Sequence, residues 1–367
     1  MRILSLGLAS LVLLAVALLR MSEPTPPAAQ SADSLVSSAP VQHEAAAPPA
    51  VEGSSIEAAR LTSAIMPEVA TPAPQPINSP ITASVPPRHF GAALPPFTSA
   101  RQALVLDEAS AGILYAKDAD VPVAPASLTK IVTAIIAIEH GDLDRVVTVN
   151  VNSRTFRDST LMGLLPGDRF TVRDLLYGLM LPSGNDAAVA IGRAVSGSDA
   201  AFVGEMNALV AQLGLQNSRF ANPHGLDAPG HYTSAYDIAM LSRYGMTLPE
   251  FRTIVDAESY TATGSRTIKM GSLISGLLRF VSSADGVKSG FTDAAGRTLV
   301  LSATRDGRRV YSVVMNDKNR EQDGARLLEW GFTNHEWNTA VVAAQPAPNT
   351  PNAPPEDDIV RAARAGN

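Results

Sequence analysis

The segment PASLTK, residues 125–130, opens a strongly apolar run at residues 131–140 and predicts the start of a helix. On a helix, positions three residues apart lie on one face, so the hydroxyl of Ser127 and the amine of Lys130 are placed together. A serine becomes a good nucleophile when a neighbouring base takes its proton, and a lysine with a lowered pKa can be that base. Taken alone, the spacing is also compatible with a serine at a helix N-terminus and an unrelated surface lysine. The rest of the chain decides between the two interpretations.

The composition excludes several classes of protein. A chain of 367 residues is long enough for one large domain or two ordinary ones. The net charge of −6, with 17% charged residues, shows no basic excess, so no nucleic-acid partner is expected. The absence of cysteine excludes disulfides, thiolate zinc sites, a cysteine nucleophile and lipid attachment through cysteine. His224 and His231 lack a recognised ligand spacing and an accompanying acidic cluster, so we expect structural histidines, no metal and no cofactor.

The N-terminal residues have the pattern of an export signal. Arg2 precedes a charge-free, mostly apolar run at residues 3–19, and Arg20 closes it. A short positive end before an apolar core is typical of a signal peptide, or of a membrane anchor if it is not cleaved. We therefore assign residues 1–21 to a signal peptide or anchor and expect the remainder of the chain to be exported.

The segment that follows has the composition of a linker. Residues 22–96 are rich in Pro, Ala, Ser and Thr, and no period of 2 or 3.6 persists along them. Such a segment cannot bury enough apolar area to offset its chain entropy, so it is predicted to be extended and disordered. We place a folded domain at residues 97–338, and a disordered tail rich in Pro, Ala and Asn at residues 339–367.

The periodicity within the domain predicts strands at both ends and helices between them. Strand patterns occupy residues 102–107, 113–117, 146–151, 297–304 and 310–315. Helical patterns occupy residues 131–140, 171–180, 186–195, 199–213, 234–244 and 320–332. This order indicates an α+β fold whose sheet is assembled from both ends of the domain.

Three short motifs stand in order along this pattern. Ser127-x-x-Lys130 opens a helix, Ser183-Gly184-Asn185 interrupts two helical segments, and Lys288-Ser289-Gly290 leads into a strand. Each motif is common by chance. Together, in this order and context, they are typical of class A β-lactamases and penicillin-binding proteins.

The motifs and their flanks resemble the D-alanyl-D-alanine carboxypeptidases, the low-molecular-mass penicillin-binding protein family of serine peptidases. The segments that carry the resemblance are residues 125–130, 181–188, 222–227, 234–237 and 285–292. The resemblance covers residues 97–332. It implies a β-lactamase-like fold, in which an antiparallel sheet has helices on both faces and a helical subdomain beside it.

The resemblance implies catalysis through an acyl-enzyme. Ser127 would be the nucleophile, and Lys130 would be the base, made neutral by burial and by a second lysine nearby. Ser183 would relay the proton toward the leaving nitrogen. The backbone N–H groups of Ser127 and Phe291 would form the oxyanion hole.

The resemblance also implies a set of substrate-binding residues. Lys288 would draw the terminal carboxylate of the substrate, and Arg320 matches the position where the family carries a carboxylate-binding arginine. The amide of Asn185 would hold the substrate backbone while pinning Lys130. Ser289 stands where the family usually has threonine, and it keeps the hydroxyl.

The expected substrate is the peptidoglycan stem peptide, with β-lactams as covalent inhibitors. A D,D-endopeptidase that cuts cross-links would use the same residues, and a catalytically weak cell-wall-binding scaffold would keep the same pocket. A class A β-lactamase needs a glutamate between the second and third motifs, and the loop at residues 217–227 has none. We expect a periplasmic domain, soluble or tethered to the inner membrane, with membrane contact only through the N-terminal segment.

Overall fold

The computed structural model describes residues 85–140, 142–281 and 283–337 of the chain. The predicted signal or anchor, residues 1–21, lies outside these ranges, as do most of the predicted linker and the whole predicted tail, residues 339–367. Within the described ranges, no helix combines the length and the apolar character needed to cross a bilayer.

The folded part begins before the predicted boundary between linker and domain. Strand β1, Arg88–His89, pairs antiparallel with strand β11, His335–Glu336. The assignment of all of residues 22–96 to a disordered linker is therefore wrong for its last part. A strand of two residues has no periodicity to detect, and its partner lies at the far end of the domain, so the sequence pattern could not show this pairing.

The predicted strands and helices occur in the expected order, and further elements lie among them. The strands are β2 Gln102–Asp107, β3 Ile113–Lys117, β4 Val146–Thr148, β5 Arg169–Thr171, β6 Ser259–Thr263, β7 Thr267–Gly271, β8 Ala284–Thr292, β9 Gly296–Arg305 and β10 Arg308–Met315. The helices are α1 Thr129–Glu139, α2 Val172–Met180, α3 Asn185–Ser196, α4 Asp199–Gln212, α5 Ala235–Gly245, α6 Pro249–Asp256, α7 Ser275–Phe280 and α8 Arg320–Thr333.

A five-stranded antiparallel sheet, in the order β3-β2-β10-β9-β8, is the frame of the domain. All six residues of β2 are buried, because the sheet is covered on both faces. Ala103 and Val105 belong to the core that contains Leu327 of α8, whereas Leu104 and Leu106 belong to the core that contains α1. Alternate side chains of the strand therefore enter two different cores. The predicted α+β fold with helices on both faces is confirmed.

Helix α1 runs through the larger core. Its first nine residues, from Thr129 to Ala137, are all buried, as expected for a helix that is apolar on every side. Helices α2 to α6 contact it and form the predicted helical subdomain. Lys130, the second residue of this helix, is one of these buried residues, so its amine lies inside the protein.

The structure contains elements that the sequence did not predict. Helix α6, the hairpin β6–β7 and helix α7 occupy much of residues 249–280. The motif Lys288-Ser289-Gly290, predicted to lead into a strand, lies within β8 at the edge of the sheet. The sequence of β8, ADGVKSGFT, contains two glycines and two charged residues, which hide any strand pattern. Its register with β9, in which Lys288 lies opposite Val300, makes it a strand.

Candidate active site

Ser127 lies in a single turn of 3-10 helix, Ala126–Leu128, that leads into α1. Ala126 has a φ of +50°, in the left-handed region that is costly for a residue with a side chain. Gly225 packs so closely that a Cβ at its position would lie 1.9 Å from the Ala126 carbonyl oxygen. A Cβ at Gly290 would lie 2.8 Å from the Ser127 nitrogen. The turn is thus held between a loop and strand β8, and two glycines permit the approach.

Lys130 is fully buried, and its amine is bonded to three oxygens. The Nζ atom lies 2.9 Å from Ser127 Oγ, 2.6 Å from Asn185 Oδ1 and 2.6 Å from the carbonyl oxygen of His224. A neutral amine has two N–H groups and one lone pair. The two carbonyl-type oxygens can only accept, so they take both N–H groups. The lone pair then faces the hydroxyl of Ser127.

The electrostatics of the site favour this neutral amine. Burial, and then the charge of Lys288, hold the pKa of Lys130 well below its usual 10.5, while Asp186 acts in the opposite direction. Lys288 is itself 2% exposed, and burial together with the charge of Arg320 lowers its pKa to about 7. Because two buried ammonium groups repel each other, protonation of one lysine disfavours protonation of the other.

Ser183 and Asn185 come from the break between α2 and α3. Ser183 is buried with a φ of +62°, and its Oγ has no hydrogen-bond partner among the described residues. Asn185 Nδ2 donates to Ser159 Oγ at 2.6 Å, while its Oδ1 accepts from Lys130. The bond to Ser159 fixes which end of the amide faces the lysine.

Most of the predicted site residues line one cleft of about 380 Å³. They are Ser127, Ser183, Asn185, Ser289, Phe291 and Arg320. Of the remaining two, Lys130 reaches the cleft through its bond to Ser127. Lys288 instead donates from Nζ to the carbonyl oxygen of Ser289 at 2.9 Å and does not line the cleft. Its charge depresses the pKa of Lys130, and its attraction for a substrate carboxylate stays a prediction.

Arg320 begins helix α8 and is held at the cleft wall. Its Nη1 donates to the carbonyl oxygen of Gly290 at 2.6 Å, and its Nε donates to Glu321 at 2.8 Å. Arg297 Nη2 also donates to both carboxylate oxygens of Glu321, at 3.0 Å each. These contacts fix the guanidinium beside β8, where its charge also depresses the pKa of Lys288.

Three positions that build the site were not predicted from the sequence. Ser159 orients Asn185, and the carbonyl of His224 binds Lys130. Asp186 is fully buried and accepts from the backbone N–H groups of residues 162–164, each at 2.8 Å, which fixes the loop after Ser159. A carboxylate directly after the Ser-Gly-Asn motif was the available signal for Asp186. The other two contacts join distant segments and leave no local signal.

The two loop histidines, His231 buried and His224 half-buried, are neutral at physiological pH. Burial lowers the pKa of His224 to about 3 and that of His231 to about 4. Within the part of the chain that the structure describes, no three His, Cys, Asp or Glu side chains cluster in a way that could hold a metal ion.

Comparison with known proteins identifies the family. The family model described as D-alanyl-D-alanine carboxypeptidase, Peptidase S11, matches residues 90–319, which is more than half of the chain. The chain belongs to this family. The matched range contains all three motifs and ends directly before Arg320.

Individual relatives agree with this assignment. The D-alanyl-D-alanine carboxypeptidase DacA of Escherichia coli K12 is 38% identical over 251 residues, which cover 65% of this chain and 62% of that protein. The structure of the Streptomyces K15 DD-transpeptidase has a TM-score of 0.60 at 30% identity, covering 65% of this chain and 99% of that one. The structure of penicillin binding protein 5 from Haemophilus influenzae has a TM-score of 0.60 at 37% identity, covering 66% of this chain and 73% of that one. The chain therefore spans less than two thirds of the E. coli relative, while the family fold is confirmed.

Proposed function

We propose that the protein is a serine D,D-carboxypeptidase that removes the terminal D-alanine of peptidoglycan stem pentapeptides through an acyl-enzyme on Ser127. The bonding of Lys130 Nζ carries this proposal. Its N–H groups are taken by the oxygens of Asn185 and His224, and its lone pair faces Ser127 Oγ at 2.9 Å. Such an amine can accept the hydroxyl proton as the oxygen attacks a carbonyl carbon. The name of the E. coli relative supports the choice of substrate.

Acylation begins when Ser127 Oγ attacks the carbonyl carbon of the penultimate D-alanine. The hydroxyl proton moves to Lys130 Nζ as the new C–O bond forms, and the carbonyl oxygen becomes an oxyanion. The proposed donors to that oxyanion are the backbone N–H groups of Ser127 and Phe291, on two segments that meet at Gly290. Such preorganised donors stabilise the charge where it develops.

Collapse of the tetrahedral intermediate breaks the C–N bond and requires a proton on the departing amine. Ser183 is the proposed relay, because the residue lines the cleft and its buried Oγ makes no hydrogen bond within the described residues. D-Alanine then leaves with its amine protonated. A water molecule then attacks the ester carbonyl carbon and gives a proton to Lys130 Nζ. Lys130 returns that proton to Ser127 Oγ as the ester C–O bond breaks, which regenerates both residues.

The C-terminal carboxylate of the substrate is assigned to Arg320 and the Ser289 hydroxyl, which both line the cleft. A guanidinium can bind a carboxylate through two parallel hydrogen bonds. Asn185 is assigned to the substrate backbone. Lys288 contributes a positive charge that attracts the carboxylate and keeps Lys130 neutral.

One experiment tests this function against its alternatives. The purified protein is incubated with a stem pentapeptide and with a cross-linked dimer, and the products are analysed by mass. Loss of one D-alanine from the pentapeptide, with the dimer intact, is the expected result. Conversion of the dimer into monomers would instead indicate a D,D-endopeptidase. Covalent β-lactam binding without turnover of either peptide would indicate a wall-binding scaffold.

We also propose that residues 1–21 direct export to the periplasm, where β-lactams acylate Ser127. The supporting observation is the charge-free apolar run that follows Arg2. Cell fractionation followed by N-terminal sequencing tests this proposal. A start beyond residue 21 indicates a cleaved signal, and an intact start in the membrane fraction indicates an anchor. Recovery of the intact chain only from the cytoplasm would contradict export.

A further inference from the structure

A buried chain of hydrogen bonds connects His231 to the peptide unit before Ser127. The backbone N–H of Ala221 donates to His231 Nδ1 at 2.8 Å, so the neutral ring carries its hydrogen on Nε2. That Nε2 lies 2.9 Å from Thr129 Oγ1, which donates to the carbonyl oxygen of Ala126 at 2.9 Å. The donors therefore point in one direction, from the histidine to the threonine to the carbonyl.

The three residues that make these hydrogen bonds lie inside the protein and outside the cleft. His231 is 5% exposed, and Thr129 and Ala126 are fully buried. None of the three lines the cleft that contains Ser127. A ligand in the cleft would not touch them, so any effect of these hydrogen bonds on the reaction passes through the Ser127 turn.

The geometry of the peptide unit transmits the effect. The carbonyl of Ala126 and the N–H of Ser127 belong to one planar trans unit and point in opposite directions, so fixing one fixes the other. Gly225 contacts the carbonyl end and Gly290 approaches the N–H end. The backbone N–H of Thr129 also donates to the Ala126 carbonyl, and its hydroxyl supplies a second bond.

We propose that His231 is a positioning residue that, through Thr129, aims the backbone N–H of Ser127 at the oxyanion formed during acylation. The inference rests on the proposed function, which gives that N–H its role. Without the donor from His231, the Thr129 hydroxyl is free to rotate away from the Ala126 carbonyl. The peptide unit follows Ala126, whose φ of +50° is unfavourable, and it then loses one of its restraints.

The test measures the second-order rate constant for acylation of the purified chain by a fluorescent penicillin. The variants His231→Ala and Thr129→Val are each expected to lower it about tenfold, a fraction of the roughly 10²–10³-fold cost of deleting an oxyanion donor outright. The variant His231→Gln, whose amide can donate to Thr129 from near the position of Nε2, is expected to restore most of the rate. The double variant His231→Ala/Thr129→Val is expected to be no slower than the slower single variant, because the two residues act in series.

His335→Ala is the matched control. His335 is also 5% exposed, bonds to the carbonyl oxygen of Gly331 and packs on Trp330, and neither contact lines the cleft. This variant is expected to lower Tm while acylation stays at the wild-type rate. The comparison separates a general loss of stability from a specific loss of positioning.

The outcomes that overturn the inference are distinct from those that overturn the function. Folded His231→Ala and Thr129→Val variants that acylate at the wild-type rate would refute the positioning role, as would a His231→Gln variant that regains Tm without regaining rate. If His231→Ala does not fold, the acylation rates of Thr129→Val and Thr129→Ser are compared instead. Only serine keeps the hydroxyl, so equal rates for these two variants would refute the positioning role. A wild-type chain that is never acylated refutes the proposed function instead.

Discussion

The amide oxygen of Asn185 lies 2.6 Å from Nζ of Lys130, although the two residues are 55 positions apart in the chain. This contact joins the second motif to the first. Together with the carbonyl of His224 at 2.6 Å, it occupies both N–H groups of a neutral lysine. The lone pair is thereby oriented toward Ser127 rather than left free, which is the preorganisation that proton transfer from a serine requires.

Replacement of Ser127 by alanine is expected to abolish covalent labelling by fluorescent penicillin and the release of D-alanine. The oxygen that would carry the acyl group is then missing. A small change in Tm is expected, because Ser127 is only half-buried. Ser110→Ala is the control, since Ser110 lies in the β2–β3 turn, where its hydroxyl bonds Asp107, and labelling should be unchanged. Labelling that persists in Ser127→Ala would refute acylation at Ser127.

The free energy of unfolding is expected to depend on pH through Lys288. Its pKa is about 7 in the folded protein, against a usual 10.5, so between these values the unfolded chain binds more protons. The cost of burying the residue is therefore fully present below about pH 7 and declines as pH rises toward about 10.5, by up to about 1.4 kcal/mol per pH unit.

The variant Lys288→Met should remove this dependence. Its stability relative to the wild type is expected to be greatest near pH 6 and to shrink toward pH 10, and urea unfolding at a series of pH values measures both curves. Because Lys288 also depresses the pKa of Lys130, acylation by the variant should need higher pH. Parallel stability curves for the two proteins would contradict the assignment.

Gly225→Ala is expected to damage both folding and acylation. The added Cβ would lie 1.9 Å from the carbonyl oxygen of Ala126, at a φ of +94°. Gly197→Ala is the matched control, because Gly197 also has a positive φ, +78°, but nothing lies within 4 Å of its Cβ position. The control should cost about 1–2 kcal/mol from the backbone alone. Gly225→Ala should cost roughly 1–3 kcal/mol more in urea unfolding, and equal costs would show that the turn yields without strain.

Arg320→Gln is expected to raise KM for the pentapeptide by roughly 10- to 100-fold, because a charge-assisted hydrogen bond to the substrate carboxylate is lost. Arg320→Lys should recover only part of the affinity, since it keeps the charge without the planar fork. The sharpest control is the substrate: a pentapeptide with a C-terminal amide should bind the wild type and Arg320→Gln almost equally. An equal loss with the amidated peptide would remove Arg320 from carboxylate recognition.

Elements with strong periodicity were predicted well, whereas those made by pairing were not. The bounds predicted for the strands at residues 102–107 and 113–117 are confirmed, and the helix predicted at residues 199–213 ends within one residue of the observed end. Strand β8 was missed because its glycines and charges form no pattern on their own, and it exists through its register with β9. The short strand β1 was missed for the same reason.

The sequence by itself determined which side chains of this protein could do chemistry and in what order they occur. Ser127, Lys130, Ser183 and Asn185 were identifiable because each belongs to a short motif with local spacing. Only the tertiary structure decided that the amine of Lys130 is buried and that two carbonyl oxygens accept its two N–H groups. It also decided that Lys288 is buried and that its Nζ donates to the carbonyl oxygen of Ser289. Protonation and hydrogen bonding depend on burial and on distances between remote segments, and neither is encoded in local spacing.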